Sequence, residues 1–393
     1  MNKFIKRAAV FLGVISLLLM SGVGYYGLVL PDNYYVSGDG GIITCGLNIS
    51  ACPSGEAIAA GTDTESEIVT LKLYGLIPIK NASITKADAP VLIPGGTPLG
   101  IKLLTDGVMV VSTTEVDKNK NPAKEAGIQT GDNIITADGT RITSSQQLAN
   151  LIMDSKGEKM KLTLMRNGKR ITVTLTPVFS KEEGTYKAGL LIRDSSAGIG
   201  TLTFIDPETG CFGALGHPIS DFDTAKVMPL GSGEIVDANI TGYEKSLAGA
   251  PGELLGRFVS GLAAGKITKN CDCGIFGILN YFRGYGEAIP IAFRSEVKEG
   301  EAEIYTTISG NRPERYKIEI QRVSHSENAK TKNLVIKVTD PKLLEATGGI
   351  LQGMSGSPII QNGKLVGAVT HVFVSDPTMG YGIFIENMIA QAR

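Results

Sequence analysis

Tryptophan is absent from this 393-residue chain, histidine occurs three times and cysteine five times. Chemistry built on imidazole or thiolate therefore has few positions to use, and each can be inspected singly. Excess charge of either sign is also missing: 38 Lys and Arg stand against 39 Asp and Glu, a net charge of −1. That balance removes the basic footprint of a nucleic-acid binder and leaves proteins or peptides as the expected partners. No cysteine stands with histidine at zinc-ligand spacing, so no metal and no cofactor is expected. Cys45 and Cys52 could pair in an oxidising compartment, but the odd count leaves at least one thiol free, and Cys271 with Cys273 reads as a C-x-C on opposite faces of a strand. The 42% apolar content, with 49 Gly and 17 Pro, excludes a disordered or fibrous chain and gives room for two or three domains.

Lys3, Lys6 and Arg7 precede an uncharged stretch, Ala8 to Leu30, of 23 residues. This exceeds the roughly 20 residues that span hydrocarbon and the core of a cleavable signal, so residues 1–31 read as an anchor with a transmembrane helix over 8–30. The basic flank keeps the N-terminus cytoplasmic and places the bulk of the chain across the membrane. Residues 32–91 read as a linker, rich in Gly, Ser, Asn and Thr to about residue 65, followed by the strand lead-in "EIVTLKLYGLIPIKNASI".

Residues 92–180 form a self-contained pattern. "IPGGTPLGIKLL" and "GVMVVSTTEV" read as strands, "SSQQLANLIMDS" as a helix with Leu148, Leu151 and Ile152 on one face, and "KMKLTLMRNGKRITVTLTPV" as a hairpin through Asn167-Gly168. With "PAKEAGIQTGDNIITADG", these residues resemble a PDZ domain of bacterial membrane-associated proteases. The resemblance implies peptide capture by strand addition: the amides of Leu99, Gly100 and Ile101 facing a carboxylate, and Leu148 and Ile152 supplying the side-chain pocket.

Residues 185–393 contain "GGILQGMSGSPIIQNGKLVGAVTHV". Two glycines around Ser355 suit a sharp turn that exposes a hydroxyl and aims backbone N–H groups at one point. The G-x-S-G-S-P pattern resembles the nucleophile loop of chymotrypsin-like serine proteases, with the amides of Gly353 and Ser355 as the implied oxyanion hole. The apolar run and hairpin that follow are unlike the strand-to-helix elbow of an acyl hydrolase. Of the three histidines, His325 lies in a polar run that reads as a solvated loop, and His371 reads as lining the substrate side. His217, in "CFGALGHPISDFDT", remains as the base. Asp221, Asp223 and Asp340 are all candidates for orienting it, and spacing does not choose among them.

The combination resembles the SpoIVB peptidase (stage IV sporulation protein B) family of spore-forming bacteria, through "VTLKLYGLIPIK", "IPGGTPLGIKL", "GALGHPISD", "APGELLGRF", "QGMSGSP" and "GYGIFIENM". The family implies His217, Asp340 and Ser355 as the reactive residues. It implies a sporulation signalling protease held in the forespore membrane and facing the intermembrane space. Such a protease cleaves itself and a membrane-bound regulatory protein, which starts processing of a late sigma-factor precursor. The expected fold is mainly β: a transmembrane helix, a PDZ domain with α+β content, and a chymotrypsin-like double β-barrel. A catalytically inactive membrane-tethered PDZ scaffold is the alternative, which the joint presence of His217 and an intact serine loop disfavours.

Overall fold

A computed structural model describes residues 3–37, 49–57, 66–117, 120–281, 286–326 and 329–392. The first element is the helix Lys3–Val29. Its Val10–Val29 stretch, with mean hydropathy 1.8, is long and apolar enough to cross a membrane and is not buried inside the protein. Beyond it, the strands Asn33–Val36, Ile49–Ala57, Ser66–Leu73 and Ile77–Lys86 form a four-stranded sheet. Tyr34, Ile49, Val69, Leu71 and Leu73 bury a small core of their own. The segment expected as linker and lead-in thus carries a folded sheet, because the alternating residues from Ser66 onward have partner strands on which to bury their apolar face. Lys80 reaches back to Asp32 at 2.6 Å and ties this sheet to the end of the helix. The proposed pairing of Cys45 with Cys52 lies outside the described residues.

Two closed β-barrels follow. In the first, Pro98–Thr113 pairs with Leu230–Tyr243, and the ring continues through Leu254–Cys271, Gly274–Leu279 and Cys211–Ala214 to Leu190–Ile205. Pairing of Leu190–Ile205 with Pro98–Thr113 closes it. Leu99, Ile101, Leu202, Phe212, Ile235 and Ile275 fill its interior. The second barrel joins Gly300–Thr306, Glu314–Val323, Leu334–Val338, Met379–Phe384, Lys364–Val372 and Pro358–Gln361 around Ile304, Ile318, Ile320, Ile336, Ile359 and Val366.

The PDZ unit is inserted into the first barrel instead of preceding it. The strand Pro98–Thr113 is paired as barrel wall up to Thr105, turns at Gly107, and continues at Val108 and Met109 as a partner of Asn133–Ala137. Gly107 has φ +86°, and a Cβ there would lie 2.4 Å from the Ile134 carbonyl oxygen, so this kink accepts only glycine. The chain returns through Leu190–Ile205, whose Leu190 and Ile192 pack on the PDZ core before its later residues re-enter the barrel. Two strands are therefore common to both units. The helix Ser145–Asp154, capped by the Ser144 hydroxyl on the Gln147 amide, buries Leu148 and Ile152 against Val108, Ile134 and Leu162.

Asp132, in the Gly-Asp turn, is fully buried, and its carboxylate accepts from Arg166 Nε and Nη2, both at 2.7 Å, and from the Gln129 amide at 2.8 Å. Removing the guanidinium would leave a buried carboxylate without its counter-charge. Arg166→Met is expected to destabilise the PDZ unit by about 3–5 kcal/mol in denaturant titration, whereas Arg170→Met, on the exposed part of the neighbouring strand, should change little.

Candidate active site

A cleft of about 750 Å³ opens between the barrels, lined by Ile199, Leu215 and His217 from the first side and Gly353, Ser355, Thr370 and His371 from the second. His217 follows the strand Cys211–Ala214 after two consecutive left-handed residues, Leu215 (φ +70°) and Gly216 (φ +69°). This tight reversal throws the imidazole out of the barrel and into the cleft. Its Nδ1–H donates to the Pro218 carbonyl at 2.9 Å, which leaves Nε2 as the acceptor nitrogen. Burial holds the His217 pKa below its ordinary 6.5, so the ring is neutral at neutral pH.

Ser355 sits between Gly353 (φ +95°) and Gly356 (φ +97°). A Cβ on Gly356 would meet the Thr201 carbonyl oxygen at 2.1 Å. The loop is fixed from both barrels. The Thr201 amide donates to the Ser355 carbonyl at 3.1 Å, the Thr201 hydroxyl to the Gly353 carbonyl at 2.8 Å, and the Gly356 amide to Val369 at 2.8 Å. Met354, fully buried, anchors its centre. With their carbonyls held, the amides of Gly353 and Ser355 donate to no acceptor among the described residues, which suits them to receive a developing oxyanion. The Ser355 hydroxyl donates to the Thr370 carbonyl at 2.6 Å.

The three histidines fall in three settings. His371 lies beside His217, ring centroids 4.9 Å apart, so the cleft holds two imidazoles where one was expected as base. Partial desolvation, then His217 and Lys332, push His371 below the usual histidine range. His325, read as part of a solvated loop, is instead buried against Phe384, and burial pushes its pKa down to about 4. His325 does lie in a loop, after the strand Glu314–Val323, but its ring packs toward Phe384 and is shielded from solvent.

None of the three candidate aspartates meets His217. Asp340 is the N-cap of the helix Pro341–Thr347: its Oδ1 accepts from the amides of Lys342 and Leu343 at 2.9 and 3.2 Å, and its Oδ2 from the Lys317 amide at 3.2 Å. Asp221 and Asp223 are both bonded to Arg193. Asp340 as the residue holding the imidazole is therefore corrected: its carboxylate is committed to a helix end, and the Pro218 carbonyl orients His217. The helix it caps ends at Gly348 in a left-handed conformation and leads directly into the serine loop, so Asp340 acts on Ser355 through the backbone. Among the described lining residues the carboxylate in the cleft is Glu253, 102 positions before Ser355 in the chain, with no local signal to mark it.

The peptide-docking expectation on Leu99, Gly100 and Ile101 is also corrected. These residues pair with Gly200, Ile199 and Gly198 on one side and Asp237, Val236 and Ile235 on the other. A strand hydrogen-bonded along both edges cannot accept a third. Leu148 is sealed in the PDZ core, while Ile152 reaches a second groove.

Double-barrel architecture with a serine loop and histidine facing across the interbarrel cleft, plus an inserted PDZ unit, defines a PDZ-containing serine-type peptidase. The chain belongs to the SpoIVB peptidase S55 family, whose family model matches residues 184–389, and a PDZ domain model matches residues 98–176. Among curated proteins it is similar to one named as a zinc metalloprotease from Lactococcus lactis subsp. lactis, 35% identical over 107 residues (26% of this chain, 23% of that protein). It is also similar to the regulator of sigma E protease of Salmonella typhi, 35% identical over 75 residues (18% of this chain, 16% of that protein). The chain spans about a quarter or less of the length of these relatives. Of solved structures, the Rv3671c protease from M. tuberculosis in its active form aligns at 15% identity over 50% of this chain and 73% of that chain, with TM-score 0.28.

Substituting Asp340 separates its two roles. Asp340→Asn retains a side-chain oxygen for the cap and should keep kcat/KM within a few-fold of wild type, whereas loss of a true triad carboxylate costs about 10⁴. Asp340→Ala should lower stability by about 1 kcal/mol in thermal denaturation.

Proposed function

We propose that this chain is a membrane-tethered serine endopeptidase of sporulation signalling. In this reading it cleaves itself, and cuts a membrane-associated regulatory protein so that a late sigma-factor precursor is processed. Membership of the SpoIVB peptidase S55 family supports the biology, and the N-terminal helix supports a forespore-membrane location facing the intermembrane space. The observation that carries the chemistry is a serine whose loop presents two unengaged amides in the same cleft as a neutral imidazole with its Nδ1 already bonded.

Ser355 attacks the scissile carbonyl after its hydroxyl turns from Thr370 toward His217. His217 Nε2 takes the proton and returns it to the leaving amine, while the Pro218 carbonyl keeps the imidazole in the reactive tautomer. The amides of Gly353 and Ser355 hold the tetrahedral oxyanion. Glu253 gives the cleft a negative wall, which favours a basic or polar substrate residue beside it.

Ser355→Ala is expected to lower turnover by about 10⁶ and to abolish self-cleavage bands on a time-course gel. Identical bands from wild type and variant would refute self-cleavage. A base must be neutral to act, and burial lowers the His217 pKa, so the acid limb of the kcat/KM profile is expected below the ordinary 6.5. An acid limb above that value would mean that another group is the base.

A further inference from the structure

His217 is bonded to no carboxylate among the described residues; its Nδ1–H donates to the carbonyl of the next residue, Pro218, at 2.9 Å. A backbone carbonyl holds an imidazole in place only if its own peptide plane is held. The Pro218 C=O belongs to the planar unit that ends in the Ile219 N–H, so rotating one group rotates the other. Whatever fixes the Ile219 N–H therefore fixes the partner of the ring.

That N–H donates to Asn270 Oδ1 at 2.8 Å. Asn270 lies on the barrel strand Leu254–Cys271, where it pairs with Ile275. Its Nδ2 donates to the Ile219 and Met228 carbonyls, both at 2.9 Å. Oxygen toward the single N–H and nitrogen toward the two carbonyls use both ends of the amide and leave it one orientation. An aspartate could not replace it, because two of the three partners are acceptors and an ionised carboxylate has no proton to give. The Met228 amide donates to the Ile219 carbonyl at 3.0 Å and closes the base of the loop that follows His217. The far part of this loop is tied separately: Asp221 and Asp223 both meet Arg193 on the strand Leu190–Ile205.

We infer that Asn270 is the positioning residue of the base: through the Pro218-Ile219 peptide it holds the His217 ring in the tautomer that leaves Nε2 free to take a proton. The inference rests on the reading of His217 as that base. Asn270 Oδ1 accepts from one side of the peptide unit, and the carbonyl on its other side accepts from His217 Nδ1–H. Accepting from the N–H polarises the unit and makes its carbonyl a stronger acceptor. When His217 takes the serine proton, a polarised and immobile carbonyl meets the new charge where a Ser-His-Asp triad would use a carboxylate.

The test uses the full-length chain in detergent. With three histidines in the chain, isotope-labelled histidine gives few ring-nitrogen NMR signals, and those of His217 are assigned by their loss in His217→Gln. A Ser355→Ala background prevents self-cleavage during the spectra, and a fluorophosphonate probe reads Ser355 reactivity in protein that keeps the serine. Without further substitution, His217 should show one tautomer, protonated on Nδ1. Asn270→Leu, branched like asparagine but without polar atoms, should add the Nε2–H tautomer and slow fluorophosphonate labelling about tenfold or more. Asn270→Ala should do the same, and is read if the leucine variant does not fold. Arg193→Met, which unties the far part of the loop, should lower thermal stability and retain the single tautomer.

A single tautomer retained in the Asn270 variants would overturn the inference. So would an equal tautomer shift in Arg193→Met, since the ring would then follow the order of the loop in general. Failure of both Asn270 variants to fold where Arg193→Met folds would make Asn270 a framework residue and overturn its positioning role. A tautomer shift with undiminished labelling would overturn His217 as the base and that role with it. Absence of Ser355 labelling in the protein without substitutions would overturn the peptidase reading, while the spectra still decide whether Asn270 holds the ring.

Discussion

The pairing of Pro98–Thr113 with Leu190–Ile205 is the constraint on which the rest of the structure depends. It closes the first barrel, frames the PDZ unit, and carries Thr201 to the two carbonyls that hold the serine loop. A domain joined by a flexible linker would sample many orientations relative to the cleft. A domain joined by two continuous, mutually hydrogen-bonded strands has its position set by the twist of the sheet. The PDZ unit and the barrel that presents His217 are consequently parts of one sheet.

The site itself is assembled from backbone at least as much as from side chains. Left-handed residues at 215 and 216 aim His217, and glycines at 353 and 356 aim Ser355 and free its neighbouring amides. The carbonyls of Pro218 and Thr370 hold the imidazole and hydroxyl at rest. Asp340 contributes one step back, as the cap of the helix that delivers the serine loop. A carboxylate bonded to three amides has little acceptor capacity left for a distant imidazole, which is why a residue at suggestive spacing takes a structural role.

Most of the architecture was legible in the residues. Glycine pairs around Ser355, the small-residue run before His217, the Asn167-Gly168 turn and the spacing of Leu148 and Ile152 all impose local geometry that the structure displays. The PDZ resemblance was legible in the segment that the PDZ domain model matches, residues 98–176. The peptide edge expected at Leu99-Gly100-Ile101 rested on an apolar strand start near glycines, a pattern that does not show what pairs with it. Only the count of partners along each edge distinguishes a sealed strand from an open one.

By itself the sequence determined what depends on neighbours in the chain: the apolar helix, the turns, the strand periodicity, the nucleophile loop and the scarcity of alternative bases. Tertiary structure alone decided the insertion of one domain into another's barrel, the companionship of His217 and His371, and the burial of His325. These are contacts between residues far apart in sequence. Their energies come from pairing and burial that no local pattern encodes, so they exist only once the two long strands have met.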